Sequence, residues 1–124
     1  MKKLLVLLIF IFCLLALKGY AQDRWVYVAE SNDCILYYDS ETIKYNNNSV
    51  TVYIKTVYKS DESIKTGIDH QISKNIIYCG EYNFETVSIT TYYNNGTNEG
   101  VNLNKYRNIV PETVMEEVYK RLCR

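Results

Sequence analysis

Several features of catalytic and metal-binding proteins are missing from this sequence. It has one histidine and one proline, and its 14 basic residues balance 14 acidic ones. It has no internal repeat, no glycine-rich phosphate loop and none of the short motifs of serine hydrolases, zinc proteases or thiol oxidoreductases. A metal site needs three or four ligands, and His70 lies in a polar stretch without a second histidine. We therefore predict no catalytic, cofactor-binding or metal-binding residues, no cofactor and no enzymatic activity.

The first 21 residues have the pattern of a cleavable signal peptide. Two lysines precede an unbroken apolar run from Leu4 to Leu17, and small residues stand at the −3 and −1 positions of a cut after Ala21. A membrane-spanning helix needs roughly 20 apolar residues, and Lys18 ends the run short of that length. We predict that residues 1–21 are removed and that residues 22–124 are exported to the periplasm, the cell surface or the medium, with no transmembrane segment.

The charge of the predicted mature chain argues against some partners. Three lysines leave with the signal peptide, so residues 22–124 keep 11 basic and 14 acidic residues, a formal charge of −3. Such a chain lacks the basic surface that nucleic-acid binding requires. It also has no electrostatic attraction to anionic lipids. We predict no nucleic-acid partner.

Residues 22–124 are predicted to form one mostly antiparallel β domain. The clearest strand begins at Val50, where β-branched and aromatic residues alternate with polar ones up to Lys59. Other strands are predicted over 25–29, 35–38, 72–79 and 83–93, and residues 100–106 are a short strand or a loop. The strand over 83–93 has apolar residues on both faces, so its core-facing side stays open. The polar stretch from Ser60 to His70 is predicted to be a long loop.

The end of the chain changes to helical periodicity. Pro111 suits the first residue of a helix, and the apolar residues after it form one stripe, made of Val114, Met115, Val118, Tyr119 and Leu122. The stripe has to pack on something, and the sheet is the available partner. The fold class is therefore α+β, mostly β, with a C-terminal amphipathic helix on the sheet.

Tyrosine is unusually frequent, with 13 in the chain. Two interpretations stay open. The rings pack against one another across strands, or some of them join Trp25 in an exposed aromatic face that contacts a protein. Neighbouring strand residues point to opposite faces, so one tyrosine in each of the pairs Tyr37-Tyr38 and Tyr92-Tyr93 is expected to face outward.

Three cysteines follow the predicted cleavage site, namely Cys34, Cys79 and Cys123. Disulfides persist in exported proteins, and three cysteines allow one bridge and one free thiol. Three pairings are possible on these grounds.

The order of several motifs resembles the bacterial surface-adhesin protein E-like family. The matching segments are Trp25–Val28, Tyr37–Asp39 with Ile43, Val50–Lys55, Tyr78-Cys79, and Val110–Val114 with Cys123. The resemblance implies a curved antiparallel sheet of about six strands, with a C-terminal helix docked on its concave face by a disulfide. Some members form dimers, and the best-known member binds host extracellular-matrix and serum proteins.

The disulfide is expected between Cys79 and Cys123. Cys123 lies beside the apolar stripe of the helix, and Cys79 ends an apolar strand. Cys34 is then the free thiol, in a turn where the family usually has a small polar residue, and it is available to cross-link two copies. A second departure is that Ile11 and Phe12 before Cys13 do not fit the lipoprotein signal known in the adhesin itself.

Two classes of function follow. The first is an exported, non-enzymatic protein-binding module, an adhesin that contacts host matrix or serum proteins, with a homodimer as a further expected state. The alternative is a periplasmic or envelope-associated structural domain without a host ligand. Protease treatment of intact cells distinguishes them, because only a displayed protein is cleaved.

Overall fold

The computed structural model describes residues 2–18 and 24–124. Helix α1 covers Lys2–Lys18, and the predicted cleavage site after Ala21 lies outside the described residues. The remaining elements are β1 Trp25–Glu30, β2 Cys34–Asp39, β3 Lys44–Asn46, β4 Ser49–Tyr58, α2 Ser60–Thr66, β5 Ile68–Tyr78, β6 Asn83–Tyr93, β7 Asn98–Asn108 and α3 Val114–Leu122. Within the described ranges, no helix has the length and apolar character needed to cross a membrane.

All strands belong to one antiparallel sheet in the order β1-β2-β4-β5-β6-β7. The three-residue strand β3 pairs with the first part of β4, beside the stretch that β2 pairs with. The predicted fold class is confirmed. The strand count is seven rather than about six, because β3 adds a short hairpin arm to a main path of six strands.

The core lies between one face of the sheet and α3, and we call this side the helix face. The predicted alternation in β4 is confirmed, since Val50, Val52 and Ile54 are buried there. Val118 and Leu122 of α3 are buried against the same cluster. Each fully buried aliphatic side chain of this kind contributes roughly 1.5–3 kcal/mol. Packing, rather than helix propensity, therefore holds a helix of nine residues.

Helix α3 begins three residues later than predicted. Pro111 lies in a turn, and Glu112 has a left-handed backbone with φ of 62°, which interrupts any helix that starts there. Thr113 stands in the extended N-cap position, and its hydroxyl donates a hydrogen bond to the Val110 carbonyl oxygen at 2.6 Å. The prediction that Pro111 is the first helical residue is therefore wrong.

A disulfide and two tyrosines join α3 to the turn after β5. Cys79 and Cys123 form the disulfide, with their Cα atoms 5.3 Å apart. The Tyr119 hydroxyl donates a hydrogen bond to the Cys79 carbonyl oxygen, and its ring packs edge-on against Tyr82 at a centroid distance of 4.8 Å. The Tyr82 hydroxyl donates to the Glu116 carboxylate, which raises the pKa of Tyr82 to about 12. The end of the chain is thus fixed to the sheet by covalent and polar contacts.

The predicted loop from Ser60 to His70 is wrong, because it contains α2 and the start of β5. The helix has Asp61 and Glu62 in its first turn, where the helix dipole favours negative charge. Gly67 ends it in a left-handed conformation, with its N–H bonded to the Ser63 carbonyl oxygen. Strand β5 then begins at Ile68.

The two edges of the sheet differ. At the β1 edge, the Arg121 guanidinium donates hydrogen bonds to the carbonyl oxygens of Tyr27 at 2.7 Å and Val28 at 3.1 Å. A β-bulge also interrupts β1 between Tyr27 and Ala29. At the other edge, among the residues that the structure describes, β7 pairs with β6 alone, and all eleven of its residues are exposed. Its outer backbone groups are therefore open to solvent. The register between β6 and β7 shifts near Asn104, which has a left-handed φ of 47°.

Candidate protein-contact face

The side of the sheet opposite α3 carries a row of aromatic side chains, which we call the aromatic face. Residues paired across strands share a face, and the registers place Tyr27 opposite Tyr37 and His70 opposite Tyr92. The aromatic face consists of Trp25, Tyr27, Tyr37, Tyr53, His70, Tyr78, Tyr92 and Tyr106.

Six of the eight side chains of this face pack in pairs, and part of each remains accessible. Tyr27 meets Tyr37 edge-on at a centroid distance of 6.2 Å, and Tyr78 lies 5.5 Å from Tyr106. Tyr27 is 48% exposed and Tyr106 is 52% exposed. Cross-strand packing and exposed aromatic area therefore occur together on this face.

A bulge in β6 explains why its core-facing side could not be assigned from the sequence. The register shifts between Thr86 and Ser88, so Phe84 and Thr86 belong to the helix face while Tyr92 belongs to the aromatic face. Tyr93 lies on the other side and donates a hydrogen bond to Glu99 at 3.2 Å. In the same way, Tyr37 lies on the aromatic face and Tyr38 packs against the core, so the expected split of both tyrosine pairs is confirmed.

His70 lies in β5 rather than in a loop. Its ring stacks on Tyr92 with centroids 4.4 Å apart, and its Nδ1 is 2.7 Å from an Asp69 carboxylate oxygen. Its side chain is 21% exposed. No cluster of three or more His, Cys, Asp or Glu side chains that could hold a metal ion occurs among residues 2–18 and 24–124. His70 thus serves as one member of an aromatic pair.

One border of the aromatic face is built around an ion pair between the buried Asp39 carboxylate and the half-exposed Arg24 side chain. The Asp39 side chain is 1% exposed and accepts hydrogen bonds from Arg24 and from the Thr42 hydroxyl, both at 2.7 Å. The hydrogen bond from Arg24 lowers the pKa of the Asp39 carboxyl below its ordinary value. Arg24 and Lys55 both lie against the Trp25 ring, at 5.7 and 5.5 Å from its centroid. These contacts fix the orientation of the indole ring.

Two adjoining grooves open beside Tyr53 in the middle of the aromatic face. The first, of about 570 Å³, is lined by Glu41, Thr42, Ile43, Lys44, Thr51, Tyr53, Lys74, Ile76 and Val87. The second, of about 510 Å³, is lined by Arg24, Trp25, Asp39, Thr42, Tyr53 and Ile72. Thr42 and Tyr53 line both, so the two grooves form one longer depression, which we call the Tyr53 groove.

The model of the family described as Surface-adhesin protein E matches residues 25–124. The chain belongs to this family. The match covers the whole sheet and α3, and it indicates a surface adhesin, hence an exported or cell-surface protein that binds a protein or host partner. Searches of curated proteins and of solved structures found no match.

In this adhesin-family fold the cysteines stand apart from the aromatic face. Cys79 and Cys123 pack against the core of the helix face. Cys34 is not in a disulfide, is half-buried at the start of β2, and has its Sγ 3.5 Å from the Ser31 hydroxyl oxygen.

The Tyr53 groove was not predicted from the sequence. The period-two pattern from Ile72 to Ile76 was its only sequence signal, because the groove forms only when β4, β5 and the turn after β2 come together.

Proposed function

We propose that this chain is an exported, non-enzymatic protein-binding module and that the aromatic face is its contact surface. The observation that carries the proposal is the row of partly exposed rings across the six neighbouring strands β1, β2, β4, β5, β6 and β7. Aromatic side chains bury a large area at little entropic cost, which makes them strong anchors in protein interfaces. Family membership supports a host matrix or serum protein as the partner.

We further propose that residues 1–21 are a signal peptide and residues 22–124 the mature domain. The side chains from Leu4 to Ile11 of α1 are 46–66% exposed, which supports a segment that is not part of the folded core. Mass spectrometry of the exported protein should find Gln22 as its first residue. Recovery of material that still carries Leu4 would contradict the proposed cleavage.

Protease treatment of intact cells separates the adhesin from the alternative of a periplasmic or envelope-associated structural domain. We expect the protein to be cleaved on intact cells, because an adhesin must be accessible from outside. Protection on intact cells, with cleavage after the outer envelope is opened, would favour the structural alternative.

The aromatic face is tested by comparing two exposed tyrosines. Tyr27 belongs to the face and is 48% exposed, whereas Tyr45 of β3 is 68% exposed and pairs with Val50 of the helix face. We expect Tyr27→Ser to weaken binding to immobilised matrix or serum proteins about tenfold, the effect of roughly 1.4 kcal/mol. Tyr45→Ser should leave binding unchanged. Equal effects of both variants would exclude this face as the specific contact surface.

We also propose that two copies pair through their β7 edges. A two-fold axis through Asn102 brings Glu99 towards Lys105, and Val101 towards Leu103, of the second copy. This pairing has to accommodate a bulge in β7, where Asn104 has a φ of 47° and the register with β6 shifts. Val101 and Leu103 are 47% and 39% exposed, and opposite charges or apolar pairs directly across strands are favourable. An uncovered edge strand of this length is a template for pairing. Analytical ultracentrifugation should give a mass that rises towards a dimer with concentration, and a monomer at all concentrations would contradict the proposal.

A further inference from the structure

Three lysines surround Tyr53 on the aromatic face. Lys74 is its direct cross-strand neighbour, and Lys55 follows it by two residues on the same side of β4. Lys44 lines the Tyr53 groove together with Lys74. Lys44 and Lys74 thus border the first part of the groove. Lys55 lies next to the second part, with its Nζ 5.5 Å from the centroid of the Trp25 ring.

The charges of this face are unevenly paired. Asp39 and Glu41 lie 2.7 and 3.8 Å from Arg24, and Glu30 lies 3.1 Å from Lys59. By contrast, in the part of the chain that the structure describes, the three lysines around Tyr53 have no carboxylate within 4.0 Å. Asp39 and Glu41 also line the groove and share Arg24, so the five charged lining residues sum to +1, and Lys55 beside the groove adds one more positive charge. The groove is thus locally positive in a domain whose residues 22–124 carry a net charge of −3.

The groove also has apolar walls. Ile43, Ile76 and Val87 line its first part, and Trp25 and Ile72 line the second. Each of its two parts, of about 570 and 510 Å³, is within the size range of pockets that bind small ligands. A ligand that fits must therefore offer negative charge and an apolar group a few ångströms apart.

We propose that the Tyr53 groove binds an acidic peptide segment of a protein partner. Carboxylates of the segment pair with Lys44, Lys55 and Lys74, and a leucine- or phenylalanine-like side chain packs on Tyr53. This inference rests on the proposed binding function and specifies the chemistry of the partner. A sulfated polysaccharide would satisfy the lysines but leave the apolar walls unused, and the net negative charge of residues 22–124 disfavours a nucleic acid.

The test uses the fluorescence of Trp25, which is the only tryptophan in the chain and lines the groove. The purified protein is titrated with a short peptide of aspartate, glycine and two leucines, and separately with the same peptide carrying lysine for aspartate. We expect a saturable change with the acidic peptide alone, weakened as ionic strength rises to ~0.15 M because salt screens exposed charges. An equal response to both peptides, or none to the acidic peptide, would overturn the proposal.

Charge reversal gives the matched control. Lys74→Glu should weaken binding of the acidic peptide at least about fivefold, the effect of roughly 1 kcal/mol between an attractive and a repulsive exposed pair. Lys65→Glu makes the same change on the exposed surface of α2 and should have no effect. Equal weakening by both variants would indicate net charge rather than the groove, and overturn the proposal.

Two further outcomes separate this inference from the proposed function. If heparin changes Trp25 fluorescence and the acidic peptide does not, the groove binds a polysaccharide and the peptide proposal fails. If Tyr27→Ser reduces binding of matrix or serum proteins while Lys74→Glu does not, the aromatic face remains the contact surface and the acidic chemistry of the partner is wrong.

Discussion

Removal of the Cys79–Cys123 disulfide is expected to be the most destabilising small change at the end of the chain. The double variant Cys79→Ser/Cys123→Ser removes a cross-link between residues 44 positions apart. It leaves the buried side chains Val118 and Leu122 in place. The change therefore isolates the covalent contribution from the packing of α3.

The expected magnitude follows from chain entropy. A closed loop of about 45 residues restricts the unfolded chain by an amount worth about 4 kcal/mol at 25 °C. A domain of this size has roughly 5–15 kcal/mol of stability in total. At about 4–8 °C per kcal/mol, the midpoint of thermal unfolding should fall by about 15–30 °C. Since a nine-residue helix is marginal by itself, α3 should also fray before the sheet unfolds.

Denaturant unfolding followed by circular dichroism measures the loss in the free energy of unfolding. Hydrogen exchange of the α3 amides measures the fraying of the helix. Cys34→Ser is the matched control, because it removes a cysteine that is not in a disulfide and should leave the midpoint unchanged. A reductant added to the wild-type protein should reproduce the double variant. A loss of stability below about 1 kcal/mol, the size of an average point substitution, would refute the reasoning.

Two further predictions concern charged groups. Asp39→Asn should cost about 2 kcal/mol near neutral pH, because it weakens hydrogen bonds from Arg24 and Thr42 to a buried carboxylate. The pKa of Asp39 is lowered in the folded state. The extra stability of the wild-type protein over the variant is therefore fully present above the ordinary pKa of 3.8 and is lost as pH falls through the folded-state pKa. A stability difference between the two proteins that stays constant in acid would contradict this. In ultracentrifugation, Glu99→Lys and Lys105→Glu should each abolish the dimer, because each variant places like charges at positions 99 and 105. A mixture of the two variants should restore the dimer, because residue 99 of one variant then faces an opposite charge at residue 105 of the other. Failure of the mixture to associate would exclude this register.

The elements that the sequence predicted well are those whose pattern reflects burial. Strand β4 alternates because one side packs on the core, and α3 has one stripe because Val118 and Leu122 meet the sheet. The aromatic split at Tyr37 and Tyr38 follows from the same alternation. In each case one face of the element is buried, so its apolar residues recur with the period of the strand or helix.

The elements that it predicted poorly have little burial or a change of register. Strand β7 is exposed on every residue, so no apolar pattern marks its full length from Asn98 to Asn108. The bulge near Val87 shifts the later residues of β6 to the other face, which a fixed period of two cannot represent. The Tyr53 groove depends on pairings between distant segments, such as Tyr53 with Lys74, and these registers are set by the whole sheet.

The hydrogen bonds that Arg121 donates at the β1 edge limit how far the sheet can extend between molecules. Two copies joined through β7 form a continuous sheet whose outer strands are both β1. There, Arg121 already occupies the carbonyl groups of Tyr27 and Val28, so a third copy meets acceptors that are taken. Assembly by this route is therefore closed rather than fibrillar. Arg121, in the last turn of α3, thus protects the β1 edge of the sheet from pairing with another strand.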